Sequence, residues 1–146
     1  MTSSRRELTT TLPMARAWAV VTDLTGPGHW GRAVRTFAPV DGRVEDVGAE
    51  LVSTTWVFDE PLESDVVVVR HERSASRCRL VLRNQSPVGG ATETLHVLDA
   101  GDRGTVVEHL MVVDSTVDDA AMTQWLGIFA DLCRDGIRDA LEASGS

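Results

Sequence analysis

The 146-residue chain contains no lysine and no tyrosine, so all 14 of its basic residues are arginine. Without lysine there is no Schiff-base catalysis and no lysine-bound pyridoxal phosphate. A phosphate loop of the GxxxxGK[ST] type is excluded for the same reason. Without tyrosine no phenol can serve as an acid or an oxyanion donor. GxGxxG, HExxH and GxSxG are missing as well, and the histidines show no metal-ligand spacing. Acid–base work is left to four histidines, the carboxylates or bound water, and the expectation is a chain with no cofactor and no metal.

Cysteine is scarce. Cys78 and Cys133 stand far apart with no CxxC spacing, which predicts reduced thiols. One falls on the apolar side of a strand and the other on a helix, so both read as buried small hydrophobes. No apolar run reaches the roughly 18 residues of a membrane span. The opening residues, Met1 to Glu7, lack the apolar stretch of a secretory signal. A cytoplasmic location is expected. The net charge of −8 offers no basic footprint for nucleic acid or an anionic membrane. Arg77, Arg79 and Arg83 alternate along one segment and read as the wet face of a strand.

What is present is ordinary for a globular protein: 42% apolar and 25% charged residues. One domain is expected over residues 1–146. An alternating segment, Glu7 to Leu12, precedes Pro13, which starts a helix running to Asp23. Gly26-Pro27-Gly28 breaks it, and His29 to Ala33 is expected to form a second short helical turn. From there to residue 114 the period is near two. Strands are predicted over 34–40, 48–58, 62–73, 77–84, 91–99 and 105–114, with turns at Asp41-Gly42, Asp59-Glu60-Pro61, 87–90 and the Gly101–Gly104 loop. The period then changes. Ser115 or Thr116 is a good N-cap, with Asp118 and Asp119 in the first turn. Met122, Trp125, Phe129, Leu132, Gly136 and Ala140 recur at helical spacing, over a helix about 39 Å long. The fold class is α+β: six or seven antiparallel strands curved around one long C-terminal helix, with two short helices after strand 1.

This order, together with Pro13, Trp18, Asp23, Trp30, the Val47-Gly48 step and Gly104-Thr105-Val106-Val107, resembles the helix-grip superfamily. That superfamily joins START domains, polyketide cyclases and Bet v 1-like proteins (SRPBCC). The resemblance implies a mostly apolar cavity between sheet and helix. It does not imply a reaction, because fold alone does not set function.

The helix contributes Met122, Trp125, Phe129 and Leu132 to the expected lining. In the last hairpin the short loop opposes Glu93 with Met111 and His96 with Glu108. One face then carries Glu93, Leu95, Val97, Val107, His109 and Met111. The other carries His96 and Glu108, which would form an outer ion pair worth under about 1 kcal/mol. The resemblance favours the first face inward, since Val107 occupies an apolar slot there. In the preceding hairpin a longer turn would put Ser53, Thr55, Asp65, Val67, Val69 and His71 on one face and Trp56 on the other. Which face lines the cavity is open for both hairpins. If the Ser53 face is inward, Asp65 needs a partner or a raised pKa. Leu80 adds to the lining. His29 and Trp30 either stand at the cavity mouth or pack as a helix end.

Three functions follow as alternatives. The first is a cyclase or dehydratase acting without a cofactor on an aromatic or polyketide-like intermediate, with His109 as base or acid and Glu93, Asp65 and Thr55 as polar helpers. The second is a non-catalytic carrier or sensor of a small hydrophobic molecule. The third is a protein-docking module, which predicts Phe37, Trp56 and Phe58 facing outward. A monomer or homodimer fits all three.

Overall fold

A computed structural model describes residues 1–25, 30–57 and 59–145. Seven strands form a single antiparallel sheet: β1 (Thr2–Thr10), β2 (Arg35–Asp41), β3 (Glu50–Val57), β4 (Glu60–Arg73), β5 (Arg77–Ser86), β6 (Gly89–Asp99) and β7 (Thr105–Ser115). Their order across the sheet is β1-β7-β6-β5-β4-β3-β2. Helix α1 (Met14–Val21) follows β1, a 3₁₀ turn spans Gly31–Ala33, and α2 (Asp119–Ser144) closes the chain. The curved sheet and the long terminal helix make the helix grip expected from the alternation and the period change. Of the second short helix only the 3₁₀ turn falls among the described residues; His29 lies outside them.

Alternation builds the sheet's two faces. Along β5, Cys78, Leu80, Leu82 and Asn84 are buried, while Arg77 and Arg83 are exposed and Arg79 is half-buried. Arg79 reaches Glu72 on the outer face. On α2 the buried stripe is Met122, Leu126, Phe129, Ala130, Cys133, Gly136, Ile137 and Leu141. Met122, Phe129 and Gly136 are buried as predicted, while Leu126, Cys133 and Leu141 take the inward track beside the half-buried Trp125, Leu132 and Ala140. The helix N-cap is Asp118, whose carboxylate accepts from the Ala121 N–H at 3.1 Å. Ser115 belongs to β7 instead. Arg6 of β1 fastens α2 to the sheet edge through Asp131 at 2.6 Å. Arg16 of α1 donates to the Ser144 carbonyl at 2.6 Å, a cation where the helix dipole is negative.

Both hairpin registers bear on the site. In β6–β7, Glu93 opposes Met111 and His96 opposes Glu108, as the short loop predicts. In β3–β4 the expected register fails. Val57 pairs with Glu60 and Ser53 with Ser64, because Glu60 and Pro61 belong to β4 and not to the turn, with Asp59 before them in the left-handed region at φ 66. The offset from the expected pairing is odd, so every side chain of β4 before the bulge changes face. Asp65 and Val67 are therefore on the wet face, and Val66 and Val68 are in the core. One extra residue at Val69 interrupts the β4–β5 ladder, a bulge that restores His71 to the inner side. Val69 itself is half-buried at that irregularity.

Candidate functional site

The inner face carries a charged group in its middle. Glu93 and His109, neighbours across β6 and β7, are buried with 0% and 2% of their surface exposed. His109 Nε2 lies 2.6 Å from Glu93 Oε2. Arg35, first residue of β2, lies across the sheet's curve and meets the same carboxylate with two bonds, Nη1 to Oε2 at 2.8 Å and Nη2 to Oε1 at 2.9 Å. Its Nη2 also donates to Asn84 Oδ1 at 3.2 Å and its Nε to Ser53 Oγ at 3.1 Å. Aromatic rings surround the guanidinium: Phe37 at 4.4 Å, Trp30 at 5.0 Å and Phe129 at 5.7 Å from Cζ to ring centroid. A buried arginine with a bidentate carboxylate and aromatic stacking is the geometry that suits this side chain.

Burial by itself would push the Glu93 carboxyl up. The Arg35 charge and the hydrogen bond and charge of His109 outweigh it and hold the group well below the usual carboxylate range. An ionised Glu93 only accepts, so His109 donates through Nε2. His109 Nδ1 has no hydrogen-bond partner among the described residues. The Cys133 thiol is pushed up by burial, which makes it a poor nucleophile.

Beside this cluster lies a cavity, at the end of the grip where the β3–β4 and β5–β6 turns meet the first turns of α2. Its floor is Arg35, Ser53, Thr55 and Asn84; its walls include Met111, Met122, Trp125 and Phe129. Trp125 and Phe129 stack at 4.8 Å with planes 15° apart, one helical turn from each other. The space is about 70 Å³, against roughly 300–1,000 Å³ for pockets that enclose drug-sized ligands. It admits one end of a small molecule; the rest of a larger one would stand in the mouth.

The predicted residues divide accordingly. Ser53, Thr55, Met111, Met122, Trp125 and Phe129 line the cavity. Leu80, Leu95 and Val107 face inward as core but are not part of its wall. His71 is at the far end, its ring 5.2 Å from Trp18 of α1. Leu132 packs against the core without reaching the cavity. Asp65 and Val67, on the outer face, join no inner group. The expected His96–Glu108 ion pair is replaced: Glu108 binds Arg5 at 2.7 Å and His96 stands 3.2 Å from Arg77. Burial, then the Arg77 charge, lowers the His96 pKa. Trp30 is buried beside Phe37 and His109, not at a mouth. Trp56 is exposed and Phe37 is core, while Phe58 lies outside the described residues.

Arg35 and Asn84 are absent from the sequence-based site. Each alternates with apolar neighbours, Arg35 with Phe37 and Asn84 with Leu82, which puts it on the inner face. The need of a buried Glu93 for a counter-charge was the further signal.

No protein-family model and no curated protein sequence matches the chain. Solved structures do. A START superfamily protein from Mycobacterium smegmatis superimposes with a TM-score of 0.77 at 7% identity, over 98% of this chain and 99% of that one. The chain has the START/Bet v 1-like fold. A Thermobifida fusca protein is similar with a TM-score of 0.72 at 22% identity, covering 99% of this chain and 94% of that one. Ara h 8.0201 gives 0.57 at 12% identity, covering 91% and 95%. At these identities the START/Bet v 1-like likeness is one of fold. Among the described residues no helix is long and apolar enough to cross a membrane, and no group of three or more His, Cys, Asp or Glu side chains is placed to hold a metal.

Proposed function

We propose that the chain binds a small, mostly apolar molecule, with one end in the cavity between the sheet and α2 and without transforming it. The observation that carries this reading is the cavity itself: apolar walls of Met111, Met122, Trp125 and Phe129 over a polar floor of Arg35, Ser53, Thr55 and Asn84. Arg35 of the floor is already paired with Glu93, which lies outside the lining. Few precisely placed polar groups under an apolar wall are the usual form of a small-molecule site. Ala91, half-buried in the lining, gives the test. Small aromatic probes should raise the melting temperature of the wild type. Ala91→Phe, which fills the space, should abolish that rise while its circular dichroism stays native. An equal rise in Ala91→Phe would overturn the assignment of the site.

A second reading, cofactor-independent ring closure or dehydration of a polyketide-like intermediate, is supported by the 2.6 Å contact between His109 and Glu93. Such a pair is a common way to orient and charge a catalytic imidazole. Against it, neither residue lines the cavity, Nε2 is engaged by Glu93, and Glu93 is engaged by Arg35. Asp65, the third carboxylate of that scheme, is on the other face. Turnover of an aromatic polyketide mimic that His109→Gln abolishes, with binding retained, would favour this second reading over the first.

A further inference from the structure

The floor of the cavity has a charge balance and a hydrogen-bond balance, and both bear on what the ligand is. Arg35 is the one charged residue of the lining among the described residues. Its side chain is 3% exposed and Glu93 is 0% exposed, so the pair is internally neutral. A carboxylate entering beside it would be a second buried anion competing with Glu93 for the one guanidinium of the lining, which is disfavoured.

The hydrogen bonds are nearly complete. Ser53 accepts from Arg35 Nε and stands 3.5 Å from Thr55 Oγ1. Ser86 and Ser115, nearer the mouth, donate to the Gly89 and Val88 carbonyls at 3.1 and 3.0 Å. Asn84 is different. It is 6% exposed, it lines the cavity, and its Nδ2 is buried with no partner among the described residues. The amide cannot be turned over to cure this. Arg35 Nη2 donates to Oδ1 at 3.2 Å, and a flipped amide would set N–H against N–H. A buried donor left unmade is costly, and Asn84 is the lining residue that carries one.

We propose that the cavity selects an uncharged ligand bearing an accepting oxygen, a ketone, lactone or amide carbonyl, that receives the Asn84 Nδ2–H bond, with the apolar remainder against Met122, Trp125 and Phe129. The assignment rests on the binding reading above and narrows its ligand class. No bond is made or broken in the ligand.

Three near-isosteric probes separate the alternatives: acetophenone, ethylbenzene and benzoate, titrated at pH 7 into the full chain and followed by tryptophan fluorescence and calorimetry. Acetophenone is expected to bind roughly three- to tenfold more tightly than ethylbenzene, the worth of one buried hydrogen bond, and benzoate most weakly. In Asn84→Leu the two neutral probes should bind alike. Equal binding of acetophenone and ethylbenzene to the wild type, or benzoate binding best, overturns this inference and leaves the binding site itself standing. Failure of all three to bind overturns both. If Asn84→Leu does not fold, the wild-type ranking alone decides.

Discussion

Glu93 shows how one residue sets the character of the interior. A carboxylate with no exposed surface is tolerable only because Arg35 and His109 reach it together. Removing it leaves the guanidinium buried without a counter-ion, so Glu93→Ala should cost about 3–5 kcal/mol. The pH dependence follows from the lowered carboxyl pKa. The unfolded group titrates near its ordinary value of about 4.3. The stabilisation is therefore complete above that pH and is lost as pH falls through it toward the folded value. Urea unfolding of the wild type between pH 7 and pH 3 should show a falling stability that is shallower in Glu93→Gln; equal slopes would contradict the linkage. Next to Arg35, Val34 holds φ 50, a left-handed conformation that a β-branched residue adopts only under strain. It is 56% exposed, so little packing is at stake. Val34→Asn, which tolerates that region, should raise the unfolding free energy by about 1 kcal/mol; a loss of stability would mean that the side chain has a role its exposure hides.

At the scale of elements, the two hairpins explain what could be read in advance. The β6–β7 register was legible because the Gly101–Gly104 loop is short; which face turns inward was open, with the resemblance at Val107 favouring the face of Glu93 and His109. The β3–β4 pairing was not, because Asp59-Glu60-Pro61 reads as a turn whereas Glu60 and Pro61 already pair with Val57 and Trp56. An odd slip moves Asp65 outside and Val66 inside. Four consecutive valines cannot report which face is buried, since either parity looks apolar. The α2 stripe was displaced for a similar reason: Trp125 and Leu132 suit a core face as well as Leu126 and Cys133 do, and only the sheet's position chooses between them. The N-cap is a local matter that can be measured directly. Asp118→Ala removes the bond to the Ala121 N–H and should cost about 1 kcal/mol, while Ser115→Ala should leave the helix start unchanged, as read by urea unfolding and amide exchange over residues 119–122. The reverse pattern would return the cap to Ser115.

For the whole molecule, the helix-grip order was legible because a short helical stretch after the first strand and a long one after residue 114 bracket a run of period near two. The charged cluster was not, because it joins β2 to β6 and β7, strands that lie four and five places from β2 in the sheet and meet it only through the sheet's curvature. Arg35 closes that curve from the inside, and in doing so it neutralises Glu93 and presents Asn84 to the cavity. On this account the ionic groups serve the protein's own stability, and the apolar slot is lined by Asn84, whose buried Nδ2 has no partner among the described residues. That claim is tested most directly by two-dimensional amide NMR of the wild type titrated with acetophenone. The predicted result is shifts concentrated at Ser53, Thr55, Asn84, Met111, Met122 and Trp125. Shifts gathered instead on the outer face around Trp56, Val67 and Val112, or none at any concentration, would contradict it.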